Sequence, residues 1–263
     1  GERMSLQGYL ATERHFWRSI AQSYTDISGY AQCYLTPLPV PVFNYIYLQS
    51  GAGETELAQA QIVFDNGSKP HCLVAEKTVS ERLHLQIMAD GYEADGETSA
   101  MQLRLDEWFS SSTLPQSCEI LEVNNNLPLW ATPLEAAFPT DDGDDDGTDD
   151  MPDFSIISDY ISYHQRAMEK GTELHHFVLM YNNEPVSCMT LSILDNAARI
   201  DDLGTIPAFQ GKGFASLLLV NALTMCRTRG VSDCYLEASS EGLGLYKKHG
   251  FRTLFEYCFY IKG

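Results

Sequence analysis

Positive charge is scarce in this chain: 17 Lys and Arg stand against 36 Asp and Glu, for a formal net charge of −19. A nucleic-acid partner is therefore not expected, because polyphosphate repels so acidic a protein. Long hydrophobic runs are missing as well. No apolar stretch reaches the length of about 18 residues that a membrane-spanning helix needs, so no membrane partner is expected. The opening GERMSLQGYL has no basic region followed by an apolar core. That argues against a signal peptide and for a cytoplasmic location. Metal-binding patterns are absent too: there is no CxxC and no HExxH. The 7 cysteines are odd in number and scattered, mostly in apolar runs, which reads as buried reduced thiols rather than disulfides or a zinc site. His175 and His176 stand at the start of an expected strand and read as structural, so no metal site is expected. Neither GxxxxGK[ST] nor GxGxxG occurs.

What remains is an ordinary globular composition. The hydrophobic fraction is 44%, enough for a buried core, and 263 residues suffice for two modest domains or one large one. Charge is unevenly spread. From Ile206 to the end there are 7 basic residues against 4 acidic ones, +3, which leaves −22 on the rest. A small polyanion fits that end of the chain; the alternative is that basic residues simply favour helix C-termini.

The pattern predicts alternating elements. In the first half we expect a helix over residues 11–31, a strand at PVFNYIYLQS and a helix at GETELAQAQIVFDNG. A strand at PHCLVAEKTV, a helix at SERLHLQIMADG and a hairpin-like ETSAMQLRLDEW follow. No glycine-rich phosphate loop is evident before residue 125. A second series starts at CEILEV, residues 118–123. Its expected order is β-α-α-β-β-β-α-β-α-β, ending in FRTLFEYCFYIKG as one strand or two. Three successive strands with short turns suggest antiparallel pairing, and strand–helix–strand at 199–238 implies a parallel crossover. The expected class is α/β with a mixed (α+β-like) sheet.

One stretch, IDDLGTIPAFQGKGFASLLLVNAL, carries chemistry. Gly211 and Gly213 permit a turn in which main-chain amides point outward, and the following helix adds unsatisfied N–H groups and a positive dipole end. Lys212 adds a point charge. The combination suits a phosphate or pyrophosphate; a turn that merely favours glycine is the alternative.

The stretch resembles motif A of the GNAT superfamily of acyl-CoA-dependent N-acyltransferases, Gln/Arg-x-x-Gly-x-Gly/Ala, through Gln210, Gly213 and Ala215. LEASSEGLGLYKKHGF resembles the family's motif B through Leu245, Tyr246, Gly250 and Phe251. The resemblance covers about 118–263 and extends more loosely to the whole chain, which looks like a tandem GNAT protein. It implies a degenerate GNAT-like domain without a cofactor loop at 1–117 and a catalytic domain at 118–263. The implied activity is transfer of an acetyl group from acetyl-CoA, as co-substrate, to a primary amine by direct attack in a ternary complex. The implied acceptor is a small-molecule or protein amine, and the protein a monomer or homodimer.

By the same resemblance, Leu203, Gly204 and Thr205 lie on the strand that pairs with the pantetheine arm, with the Leu203 N–H facing the thioester carbonyl. Gln210, Gly211, Lys212, Gly213, Phe214 and Ala215 hold the pyrophosphate, and Tyr246 is the general acid. A phenol with a pKa of about 10 is a suitable donor. Many relatives carry a glutamate where this chain has Arg199. Asp201 is the nearest carboxylate on that strand face and is the expected base; Asp202 points the other way unless a bulge shifts the register. Glu237 is a second candidate. Ser239 stands where relatives have asparagine, able to bond the cofactor or to cap the next helix. The absent glutamate keeps open a second reading, a non-catalytic acyl-CoA-binding regulatory module. Finally, the acidic loop 141–153 places Asp142, Asp144, Asp146, Gly147, Asp150 and Asp153 at calcium-loop positions. Asp149 and Pro152 break that pattern, and a solvated loop is the expectation.

Overall fold

The computed structural model describes residues 1–110, 112–137 and 154–263. The acidic loop and its calcium-like positions lie outside them. In chain order the first half forms α1 (Glu2–Ile20), β1 (Ser23–Ile27), β2 (Ala31–Leu35), β3 (Tyr45–Leu48), α2 (Glu54–Val63), β4 (His71–Glu76), α3 (Lys77–Ala89) and β5 (Glu93–Arg104). The second forms β6 (Cys118–Glu122), α4 (Leu127–Ala137), α5 (Phe154–Glu169), β7 (Leu174–Tyr181), β8 (Glu184–Leu194) and β9 (Ala197–Thr205). It closes with α6 (Phe214–Thr228), β10 (Asp233–Ser239), α7 (Leu243–Lys248) and β11 (Arg252–Lys262). The mixed α/β class read from the sequence is the class observed.

The chain packs into two compact units, residues 1–102 with 237–263, and residues 103–236. In the first unit the strands run in the order β1-β2-β3-β4-β11-β5. All neighbours are antiparallel except β3 and β4, which are parallel and joined through α2. Ile46, Leu48, Leu57, Phe64, Leu73, Val79, Leu83 and Ile87 form one buried cluster. It is contributed by β3, β4, α2 and α3, and exclusion of their apolar surface from water holds those layers together. α1 buries Tyr9, Phe16 and Ile20, spaced three to four residues apart along one stripe with Thr12, Glu13 and Trp17.

In the second unit the order is β10-β9-β8-β7-β6. β6 to β9 form an antiparallel meander, and β9 and β10 are parallel, as the crossover through α6 requires. α6 buries Phe214, Leu218, Leu219, Ala222, Leu223 and Cys226. All seven cysteines are free thiols, six of them buried, and burial pushes those of Cys33, Cys72 and Cys226 up to about 12.

Three local expectations change. The helix expected over 11–31 ends at Ile20, and β1 and β2 form a hairpin after it. Ser28 and Gly29 adopt φ of 57° and 74°, and Asp26 Oδ2 accepts the Gly29 N–H, so the turn chemistry outweighs the helical pattern. The hairpin-like segment around 97–108 contains instead the end of a single long strand, β5, paired along β11. The closing segment is one strand, β11, whose register shifts absorb its curvature.

A glycine turn does exist before residue 125. Gly51, Ala52 and Gly53 link β3 to α2, between parallel strands. Its interior is filled from within. The Gly53 N–H donates to Glu56 Oε1 at 2.8 Å, the Arg82 guanidinium donates to the Ala52 carbonyl, and Ala52 is fully buried. The carboxylate of Glu56 occupies the place an anion would take at a helix N-terminus. Replacing Glu56 with alanine should therefore cost about 1 kcal/mol of stability, and glutamine much less; urea unfolding midpoints measure the difference.

Candidate functional site

The turn from β9 into α6 is the open counterpart of that filled loop. Gly211 and Gly213 have φ of +77° and +83°, conformations that L side chains rarely adopt, and a Cβ added to either would meet nothing within 4 Å. Gly213 is the N-cap of α6, and no side chain caps the helix. The N–H groups of Gly211, Lys212, Gly213, Phe214 and Ala215 donate to no acceptor among the described residues. Lys212 is exposed and has no ion-pair partner among them. Phe214 is buried and its ring lies 4.9 Å from that of Tyr181, which anchors the helix start. Gln210 reaches back, its Nε2 donating to the Thr205 carbonyl at 3.3 Å. Five N–H groups without a described acceptor, the head of a helix and an exposed lysine thus lie together in one turn, the kind of donor set a diphosphate requires.

The strand leading into this turn is irregular. β9 pairs in parallel with β10 from Ala197↔Asp233 to Ile200↔Leu236, and from Asp201 onward its described pairing is with β8 alone. The β8 register jumps between Cys188↔Gly204 and Thr190↔Asp201, so Asp202 and Leu203 together face Met189. This is a β-bulge, and Asp202 takes φ of 56° within it. The bulge leaves Met189 without a register partner on the β9 side, and the indole N–H of fully buried Trp130 donates to the Met189 carbonyl at 3.1 Å. Main-chain groups of Leu203 and Thr205 lie on a strand with one edge left for a further extended chain, such as a pantetheine arm. Ser187 Oγ donates to the Gly204 carbonyl at 3.0 Å and fixes the other edge.

The bulge also sorts the two aspartates. Asp201 receives the Arg199 Nε at 3.0 and 3.2 Å, and Arg199 is 1% exposed, so this carboxylate is held by a buried cation. Asp202 turns to the other side. Its Oδ1 accepts the Tyr160 hydroxyl at 2.7 Å and its Oδ2 the Thr190 hydroxyl at 2.9 Å, with His164 Nε2 3.6 Å from Oδ2. Burial raises the Asp202 carboxyl to about 6, against the lowering influence of those two hydroxyls and of Arg199. Behind it, His164 Nδ1 lies 2.9 Å from His176 Nε2, and His176 Nδ1 lies 2.8 Å from Asn124 Oδ1. Burial pushes His176 down to about 3 and His164 well below its usual range. His175, its neighbour in β7, instead bridges Glu122 and Glu173 near the surface.

The first unit holds the remaining expected residues. Tyr246, on α7, is 8% exposed, with its ring 5.7 Å from that of Phe251. A Cβ on Gly242 would approach the Tyr246 ring to 3.3 Å, so the glycine admits the phenol. Glu237 Oε1 accepts the Tyr47 hydroxyl at 2.9 Å and Oε2 the Thr98 hydroxyl at 2.8 Å. Ser239 Oγ accepts the Gly242 N–H at 3.2 Å, a turn bond ahead of α7, whose N-cap is Gly242 and which no side chain caps. Sequence reasoning missed Tyr160, His164 and Asn124, and took His176 only as structural. The only signal was the i, i+4 spacing of Tyr160 and His164, which puts both on one face of α5.

Residues 141–251 match the Acetyltransferase (GNAT) family. No curated protein matches the sequence. A GCN5-related N-acetyltransferase from Kribbella flavida superposes with a TM-score of 0.63 at 11% identity, over 99% of this chain and 93% of its own. A GCN5-related N-acetyltransferase from Sphaerobacter thermophilus gives 0.61 at 16%, over 89% and 76%. A tandem GNAT protein from the clavulanic acid biosynthesis pathway gives 0.58 at 11%, over 88% and 77%. At such identities the likeness is one of fold, and it extends well beyond the matched segment.

The buried histidines make stability pH-dependent. A folded pKa of about 3 for His176 lies below the unfolded 6.5, so its contribution is present above pH 6.5 and is lost as pH falls towards 3. At pH 5 the loss is about 2 kcal/mol. Asp202 acts oppositely: raised from 3.8 to about 6, its contribution is present below 3.8 and disappears as pH rises through 6. Denaturant titrations at pH 7.5 and 5 should show the His176 loss in the native protein, and a shallower acid decline in His176→Gln.

Proposed function

We propose that this chain, whose residues 141–251 match the Acetyltransferase (GNAT) family, transfers an acetyl group from acetyl-CoA to a primary amine by direct attack in a ternary complex. The observation that carries this reading is the open turn at Gly211–Gly213, with five amides at the head of α6 that have no described acceptor. The residues fit a nucleotide diphosphate: amides 211–215 and Lys212 would hold it, and the free edge of β9 at Leu203–Thr205 would take the pantetheine. Bound acetyl-CoA supplies an activated thioester carbonyl to the amine. The Leu203 N–H, next to the bulge, is the donor to that carbonyl oxygen.

Tyr246 is the proposed acid for the departing thiol. Asp201, the base expected from the sequence, has its carboxylate committed to Arg199, and this favours an electrostatic role. Glu237 suits the base better, since each of its oxygens takes a neutral hydroxyl and it has no cationic partner among the described residues. The net charge of −19 favours an acceptor that arrives as a cation. We also read the first half as a second, degenerate copy of the plan, divided from the first near 117/118. The orders β3–α2–β4–α3–β5 and β9–α6–β10–α7–β11 correspond, each with a parallel pair around its first helix, and the filled Gly51–Gly53 loop supports loss of cofactor binding there.

Calorimetry with acetyl-CoA should show saturable binding that weakens at least tenfold in Gly213→Val, where a branched side chain opposes the positive φ. Thiol release with a panel of amines should fall about 100-fold in kcat in Tyr246→Phe or Glu237→Gln, with acetyl-CoA affinity kept. Binding without thiol release from any amine would favour the regulatory acyl-CoA-binding reading instead.

A further inference from the structure

Asp202 is unused by the scheme above, yet it ends a buried chain of polar groups. The orientation of Asn124 at the far end is fixed twice. Its Oδ1 accepts the main-chain N–H of His176 at 2.8 Å, a donor that cannot reverse, and its Nδ2 donates to the Leu174 carbonyl at 2.8 Å. The same Oδ1 lies 2.8 Å from His176 Nδ1, so that nitrogen carries the hydrogen. In neutral His176 the Nε2 is then the acceptor, and His164 Nδ1, 2.9 Å away, must donate to it. Neutral His164 consequently turns a bare Nε2 lone pair towards Asp202 Oδ2, 3.6 Å away.

Two lone pairs facing each other in a dry site repel; one proton between them converts repulsion into a strong hydrogen bond. Among the described residues, the groups facing Asp202 come from α5, β8 and β9. From α5 come Tyr160 and His164, from β8 the Thr190 hydroxyl and the Cys188 thiol, which donates to the Asp202 carbonyl at 3.6 Å. From β9 comes Arg199, tied to Asp201; Trp130 of α4 packs its ring 4.8 Å from His164. The only full positive charge among them is already paired.

We propose that Asp202 and His164 share one dissociable proton, and that this proton holds the β9 bulge in the shape that presents the Leu203 amide. His164, His176 and Asn124 are then positioning residues, acting on Leu203 through Asp202. The functional consequence rests on the acyl-transfer role given to Leu203; the proton itself does not.

The test is nitrogen-detected NMR of the histidine rings and the Leu203 amide in the intact protein, titrated between about pH 5 and 8. The expected result is a hydrogen on Nδ1 of both His164 and His176, with His164 Nε2 and the Leu203 amide titrating at a common midpoint. Asp202→Asn should abolish that titration. Tyr160→Phe, which removes a donor to the carboxylate, should raise the midpoint by half a unit or more, and it decides the matter if the asparagine variant does not fold. In turnover, kcat of the native enzyme should follow the same midpoint, and in His164→Gln that dependence should vanish while acetyl-CoA affinity changes less than about twofold. A hydrogen on Nε2 of His164 with Nδ1 bare, or a Leu203 amide indifferent to pH, overturns the proposal. Titration without acetyl-CoA binding would leave the shared proton standing and remove the enzyme reading; turnover without titration would do the reverse.

Discussion

One extra residue in β9 organises the second unit. Placing Asp202 and Leu203 opposite Met189 alone forces a non-glycine residue to a positive φ, which costs about 1 kcal/mol. It also leaves Met189 without a register partner in β9. The surrounding side chains offset both. Trp130 supplies an N–H to the Met189 carbonyl, and Tyr160 and Thr190 bind the Asp202 carboxylate, so the bulge is over-determined by α4, α5 and β8. A strand so bent loses regular pairing with the next strand, and its edge becomes available to something other than protein. A fault in the ladder at this point is thus a means of making a docking edge without leaving a long flat one.

The two glycine turns show how little separates an open helix head from a filled one. Both follow a strand, precede a helix and lie between parallel strands. The first helix begins with Glu54 and Glu56, and the latter's carboxylate takes the Gly53 amide. The second begins with no acid in its first turn and with Lys212 beside it. An anion arriving at the first meets negative charge and no free donor; at the second it meets five donors and a cation. Electrostatics at the helix head, more than backbone shape, decides which turn can hold phosphate.

This difference explains what the sequence discloses and what it hides. Glycine spacing, the Leu-Tyr and Gly-Phe pairs, and the order of elements are local patterns, so the fold and the turn at 211–213 are legible. The filled loop at 51–53 escapes notice because its defining contact, Glu56 to Gly53, breaks no rule of spacing. The hairpin after α1 escapes because three turn residues outweigh a longer helical periodicity. Most hidden is the bulge: a single register slip sets Asp202 and Leu203 together opposite Met189, while Asp201 stays on the face of Arg199. The chain from Asn124 through His176 and His164 to Asp202 joins residues from a loop, a strand, a helix and a strand, and no pattern of spacing encodes it.

Arg199 shows why the aspartates divide as they do. A guanidinium at 1% exposure stays charged, and an unpaired charge in that setting costs several kcal/mol. The pair with Asp201, two residues along the same strand face, meets that requirement. A carboxylate serving a permanent cation is a poor proton acceptor, since accepting a proton would strand the arginine. Arg199 therefore makes the neighbouring Asp201 a counter-ion, held where its charge meets the guanidinium.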